Sequence, residues 1–155
     1  MLKPYMLLFM LSAGFACARD SRTLAHTDGL PADLVASTNS LYQQYERAIQ
    51  TGDRNRLSSF YHFQGATVVG DGRAETLTRS GLDSIFRFDW NPPIYFKWDS
   101  LTVVATPPNS ALVFGTFRVR FHSVPDTARF AYVALVEAVD SGMAIRFEHE
   151  TRLSR

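Results

Sequence analysis

The chain has 155 residues and a single cysteine, Cys17. An internal disulfide framework and a multi-cysteine metal site are therefore excluded. Charge of one sign is also missing: 16 basic residues face 15 acidic ones, and Lys3 lies in a leader, leaving the rest of the chain balanced. Without a basic surplus there is no electrostatic case for nucleic acid. The apolar run from Met6 to Phe15 is about half the roughly 20 residues that a spanning helix needs. No phosphate-cradling glycine loop is present, because Gly70-Asp71-Gly72 reads as a hairpin-like turn, and no nucleophile-elbow pattern occurs. Internal repeats and low-complexity segments are absent too. What remains is 46% hydrophobic and 13% aromatic. That composition suits one domain with a substantial core, in a chain too short for two.

The opening stretch MLKPYMLLFMLSAGFACARD has one lysine, an apolar run, small residues and then the first charged pair, Arg19 and Asp20. This order predicts a signal peptide over residues 1–18 and hence export, to the periplasm or as a membrane-anchored lipoprotein of a bacterium. Two cleavage readings stand. Ala16-Cys17-Ala18 fits the small-x-small pattern of ordinary signal peptidase. Gly14-Phe15-Ala16-Cys17 is similar to a lipobox, despite Gly14 and the bulky Phe15, and would leave a lipidated Cys17 as the new amino terminus. The second is preferred, because a lone cysteine at the end of such a run is otherwise a coincidence. Lipidation would give the protein its one contact with a membrane.

Residues 19–30 are polar and aperiodic and read as a linker, placing the domain over 31–155. Within it, Leu34, Val35, Thr38, Leu41, Tyr42, Tyr45, Ala48 and Ile49 recur at helical spacing and predict a helix from Pro31 to Gln50. Thr51-Gly52-Asp53 supplies a stop, and a cap for a short second helix through Leu57, Phe60 and Tyr61. Ala66–Val69 reads as a strand, and Thr78–Phe88 as a third short helix. Beyond Trp90 the period changes from 3.6 to 2. Four long strands are predicted over Tyr95–Thr106, Ala111–His122, Arg129–Val139 and Met143–Leu153, joined by turns short enough to force antiparallel pairing. Helices first and a meander second predict an α+β fold, with the helices covering one face of a curved sheet.

Alternation assigns the faces. Ala111, Val113, Gly115, Phe117, Val119 and Phe121 share the face expected to meet the helices. In the last strand, strict alternation puts Met143, Ile145, Phe147, His149 and Thr151 on one face, and Arg146, Glu148, Glu150 and Arg152 on the other as a charged comb. His149 is then the one ionisable group on an apolar row. Glu148, His149 and Glu150 diverge to opposite faces and cannot chelate one ion together, so no metal and no cofactor is expected.

The order of elements resembles the SnoaL-like group of the nuclear-transport-factor-2-like (NTF2-like) superfamily. The resemblance covers about residues 33–153. It is carried by Tyr45-Glu46-Arg47-Ala48-Ile49-Gln50-Thr51-Gly52-Asp53, by Phe60-Tyr61, by Ala66-Thr67-Val68-Val69 and by the closing hairpin 140–151, where Met143 stands in place of the usual tryptophan. It implies a cystatin-like cone of curved sheet on three helices, an open apolar pocket and a homodimer, but no single chemistry. The ketosteroid isomerases of that superfamily need a proton-shuttling carboxylate, and an oxyanion hole made of a tyrosine and a protonated aspartic acid. Tyr45 matches the tyrosine. The base position falls on Gly70, next to Asp71, and the aspartic acid position falls near Ala134 or Leu135, so that isomerase chemistry is not expected.

The pocket is accordingly expected to use Tyr45, Phe60, Tyr61, Trp98, Phe117, Phe147 and His149, and to bind a small hydrophobic molecule. The alternative is an isomerase, cyclase or hydrolase-like enzyme in which His149 and Tyr45 act on a small carbonyl or polycyclic substrate. His62 and His122, near element ends, are expected to face solvent. A third expectation is self-association through the outer face of the sheet, including Arg118, Arg120, Glu148 and Glu150.

Overall fold

The computed structural model describes residues 30–70, 72–123 and 125–153. The predicted leader with Cys17 and residues 19–29 of the predicted linker lie outside the described residues, as do Asp71, Val124, Ser154 and Arg155. Helix α1 (Leu30–Thr51) is followed by α2 (Arg54–Leu57), which tightens into a 3₁₀ turn at Ser58–Phe60. Strands β1 (Ala66–Gly70) and β2 (Arg73–Leu77) form a short hairpin. Helix α3 (Arg79–Ser84) then widens into a π turn at Ile85–Asp89, ahead of four long strands: β3 (Tyr95–Thr106), β4 (Ser110–Arg120), β5 (Ala128–Val139) and β6 (Gly142–Arg152).

Local chemistry sets these boundaries. Gly52, at φ 66°, closes α1 with two reverse bonds, Gly52 N–H to Ile49 O at 3.1 Å and Asp53 N–H to Ala48 O at 2.9 Å. A residue with a Cβ resists that left-handed conformation. Asp53 then caps α2, its carboxylate accepting from Arg56 N–H at 3.2 Å. Thr78 caps α3 in the same way through Gly81 N–H.

The strands form one mixed sheet in the order β2-β1-β6-β5-β4-β3. The long strands pair antiparallel, as their short turns require. Two features are additional to the expected meander. Residues 73–77, with no apolar alternation, form β2 by pairing with β1. Strand β1 runs parallel to β6, with Thr67 beside Phe147 and Val69 beside His149.

Two bulges bend the sheet. On β3, Asp99 is the extra residue between Trp98, opposite Phe117, and Ser100, opposite Thr116. It turns outward to Arg118 at 2.7 Å and Arg129 at 3.4 Å. Close by, Gly115 passes so near Ser100 O that a Cβ there would collide with it. On β6, Leu135 pairs with Phe147 but Val136 pairs with Ile145, which leaves Arg146 as the extra residue. Its guanidinium donates to Gly65 O at 2.7 Å. An added residue shifts the alternation by one, so every side chain beyond it changes face.

The core lies between α1 and the concave face. Leu41, Tyr42, Tyr45, Ala48 and Ile49 present the predicted helical stripe to Phe96, Val113, Phe117, Tyr132 and Ile145, all buried. Aromatic rings dominate: Trp98 packs edge-on against Tyr42, Phe117 and Tyr132 at 5.1–5.7 Å between centroids, and Phe117 stacks on Phe130 at 5.1 Å. Such pairs contribute about 0.5–1.5 kcal/mol each beyond their buried area. The convex face carries Leu112, Phe114, Val133, Leu135 and Phe147 in adjacent registers, and Phe114 is 41% exposed.

Candidate functional site

A cleft opens between α1, the π turn and the concave sheet, in two adjoining lobes that share Tyr45, Trp90 and Glu150. The smaller lobe, about 130 Å³, is walled by Ile49, Phe96, Phe117, Val119 and Phe130. The larger, about 390 Å³, has Leu82, Ile85 and Phe86 on one wall and Val68 on another, with Tyr61 and Glu148 inside and Arg73 and Glu75 toward the exposed β1–β2 hairpin. The wide π turn, closed by Trp90 N–H to Ile85 O at 2.8 Å, delivers both Phe86 and Trp90 to this wall. Insertions of this kind are frequent at functional sites.

The polar centre is Glu148, only 4% exposed. Tyr61 donates to its Oε1 at 2.7 Å, and Tyr132 to its Oε2 at 3.1 Å. Tyr45 and Tyr61 hydroxyls lie 3.2 Å apart, and those of Tyr42 and Tyr132 3.0 Å apart. A phenol has one proton. Once Tyr61 and Tyr132 have given theirs to the carboxylate, Tyr45 must donate to Tyr61 and Tyr42 to Tyr132. The five side chains thus form two arms whose protons all run inward to Glu148.

Burial pushes the Glu148 carboxyl above the ordinary glutamate range, and the two phenol donors partly offset this. The same burial raises all four tyrosines, so each phenol keeps its proton and its role as a donor.

Several elements converge to build this centre. Tyr42 and Tyr45 project from one face of α1. Tyr61 is held beside β6 by a parallel bridge to Ile145, by His62 N–H to Ile145 O at 2.9 Å, and by the Arg79 guanidinium on its own carbonyl at 2.8 Å. Tyr132 and Glu148 stand on neighbouring strands, past the Arg146 bulge.

Of the residues predicted for the pocket, Tyr45, Tyr61 and Phe117 line the cleft. Phe60 packs behind Tyr45, at 5.5 Å between rings, and faces a separate surface groove with Leu41 and Met143. Trp98 sits in the aromatic core and borders a shallow groove between α1 and β3 instead. Its Nε1, like Thr38 Oγ1, has no hydrogen-bond partner among the described residues.

Phe147 and His149 require correction. The Arg146 bulge places both on the convex face, where His149 is exposed and its Nε2 lies 3.1 Å from Thr151 Oγ1. His149 and Tyr45 therefore stand on opposite sides of the sheet and cannot act on one substrate. The same shift removes Glu148 and Glu150 from the expected outer comb and brings them into the cleft, while Arg118 and Arg120 stay outside and exposed. His62 is buried rather than solvent-facing: its Nδ1 accepts from Gln64 N–H at 3.2 Å, and its Nε2 lies 3.8 Å from Glu137. His122 is exposed, as expected.

Glu148 and Glu150 are thus cleft residues that strict alternation puts on the wrong face, while Phe86 and Trp90 reach the cleft through the π turn, which helical periodicity does not show. Among the described residues no group of three or more metal-ligating side chains could hold an ion.

No protein-family model matches the chain, and no curated protein matches it. Solved structures do. An NTF2-like protein of unknown function from Shewanella oneidensis superposes with a TM-score of 0.64 at 16% identity, over 75% of this chain and 97% of its own. A proposed dehydratase of the NTF2-like family from Streptomyces avermitilis gives 0.62 at 14% identity, over 78% and 96%. The CaMKII hub of S. rosetta gives 0.63 at 13% identity, over 76% and 95%. The chain has the cone-shaped α+β fold of NTF2-like proteins.

Proposed function

We propose that this chain is an exported binding protein that holds a small hydrophobic ligand in the cleft between α1, the π turn and the concave sheet. The observation that carries the reading is the cleft itself. Aromatic and aliphatic walls from Phe86, Trp90, Phe96 and Phe117 surround a few convergent polar groups, Tyr45, Glu148 and Glu150. That is the usual composition of a small-molecule site. Trp90 lines both lobes and serves as an intrinsic probe. A panel of hydrophobic metabolites is expected to contain members that quench its fluorescence and raise the melting temperature. If no member does either, the reading is wrong.

Export rests on the leader, and anchoring on Cys17. Expression of the whole chain in a bacterium with labelled palmitate is expected to give a labelled, membrane-bound product, and Cys17→Ala to abolish the label. A label-free, soluble wild type would instead support ordinary cleavage after Ala18.

A homodimer through the convex face is favoured by the apolar row of Leu112, Phe114, Val133, Leu135 and Phe147, with Phe114 and Val104 partly exposed. The CaMKII hub is an NTF2-like neighbour whose name denotes assembly. Light scattering at high concentration tests this, and a monomer would contradict it.

A further inference from the structure

Resting on the cleft as a ligand site, we propose that its ligand is an organic cation, a protonated amine on an aromatic or alicyclic body, with the ammonium seated against Glu148 and the ring against Tyr45, Phe86 and Trp90.

Three observations carry this. The first is hydrogen-bond polarity. With Tyr61 donating to Glu148 Oε1 and Tyr132 to Oε2, and with Tyr45 and Tyr42 donating inward behind them, the four phenol protons are committed. What the network offers to the cleft is acceptor capacity: the Tyr45 oxygen, and the carboxylate lone pairs left after two of about four are used. A carbonyl or carboxylate ligand would meet no free donor in this network. An ammonium brings three donors.

The second is charge. Among the described residues, the groups that hold the buried Glu148 carboxylate are the neutral phenols of Tyr61 and Tyr132, and no cation pairs with it. A buried carboxylate is costly unless a cation is paired with it, and the network supplies only neutral phenols. The third is the wall. Tyr45, Tyr61, Phe86 and Trp90 line the same lobe as Glu148, and ring faces attract a desolvated ammonium. Neutral hydrophobic ligands would use the walls and leave Glu148 uncompensated.

Calorimetric titration of the purified full-length chain with three matched probes tests this: naphthylmethylammonium, naphthylmethanol and naphthoate. The ammonium is expected to bind at least about tenfold tighter than the alcohol, and naphthoate more weakly than either. Glu148→Gln is expected to bring the ammonium down to about the affinity of the alcohol in the same variant, the ammonium losing more than the alcohol does. Glu150→Gln changes the other carboxylate, one that lines both lobes; it is expected to weaken the ammonium more than the alcohol, and it keeps the test open if Glu148→Gln fails to fold. An alcohol that binds as tightly as the ammonium, or an ammonium preference that survives the substitutions, overturns the cation assignment and leaves the cleft reading standing. Failure of all three probes to bind overturns both.

Discussion

The two-armed tyrosine network makes a quantitative prediction, because its inner and outer phenols do different work. Tyr61→Phe removes a 2.7 Å bond to a buried carboxylate and also takes away the acceptor for Tyr45. A hydrogen bond to a charged group is worth about 1.5–3 kcal/mol, and a neutral one about 1 kcal/mol. Tyr61→Phe should therefore cost about 2–4 kcal/mol. Tyr132→Phe should cost somewhat less, since its bond is 3.1 Å, although it orphans Tyr42. At the ends of the arms, Tyr42→Phe and Tyr45→Phe each remove one neutral bond, for about 0.5–1.5 kcal/mol.

Urea unfolding followed by tryptophan fluorescence measures all four. In a Glu148→Leu background, where neither inner phenol has its carboxylate, Tyr61→Phe should cost less than about 1 kcal/mol, and the difference is the coupling through Glu148. Equal losses at inner and outer positions, or a Tyr61 cost unchanged in that background, would refute the arm directions and with them the acceptor character of the cleft.

Other substitutions probe the remaining parts. Burial raises the Glu148 carboxyl in the folded chain, so between the ordinary glutamate range and that raised value the native state binds more protons than the unfolded one. Stability therefore falls as pH rises through this window, by at most about 1.4 kcal/mol per pH unit, and levels off above it. Glu148→Gln should lack that segment of the curve, and superimposable urea-derived profiles would contradict it. Gly52→Ala forces a Cβ into the left-handed region at φ 66° and should lower stability by about 1 kcal/mol in the same assay. Leu57→Ala empties a fully buried site and should cost about 2–5 kcal/mol. On the convex face, Phe114→Glu should leave the melting temperature nearly unchanged at low concentration while light scattering reports a monomer in place of the proposed dimer.

Much of the fold follows from short-range chemistry. The helix-period stripe of α1, the Gly52-Asp53 stop and cap and the two-residue alternation of β4 depend on residues within a turn or a hairpin of one another. They are accordingly legible in the sequence, to within a residue or two at α1, β3 and β5. Strand β2 is not, because residues 73–77 carry no apolar alternation and become a strand only by pairing with β1. The parallel β1–β6 pair joins segments some 80 residues apart, as the partners Thr67 and Phe147 show, and no local signal announces it.

The candidate site divides in the same way. Tyr45 and Tyr61 are placed by the helix face and by the turn that follows it, and the sequence alone points to them. The identity of the acid does not come from the sequence. Read by alternation, β6 offers His149 to the interior and Glu148 to the exterior. One extra residue at Arg146 reverses the two, and a bulge is defined by counting across two strands rather than along one. The sequence determined an α+β domain with an aromatic core, a capped helical half and a four-stranded meander, since propensity, capping and periodicity act over a few residues. Tertiary structure alone decided which face of β6 is buried, and so made a carboxylate ringed by phenols, not a histidine, the chemical centre of the cleft.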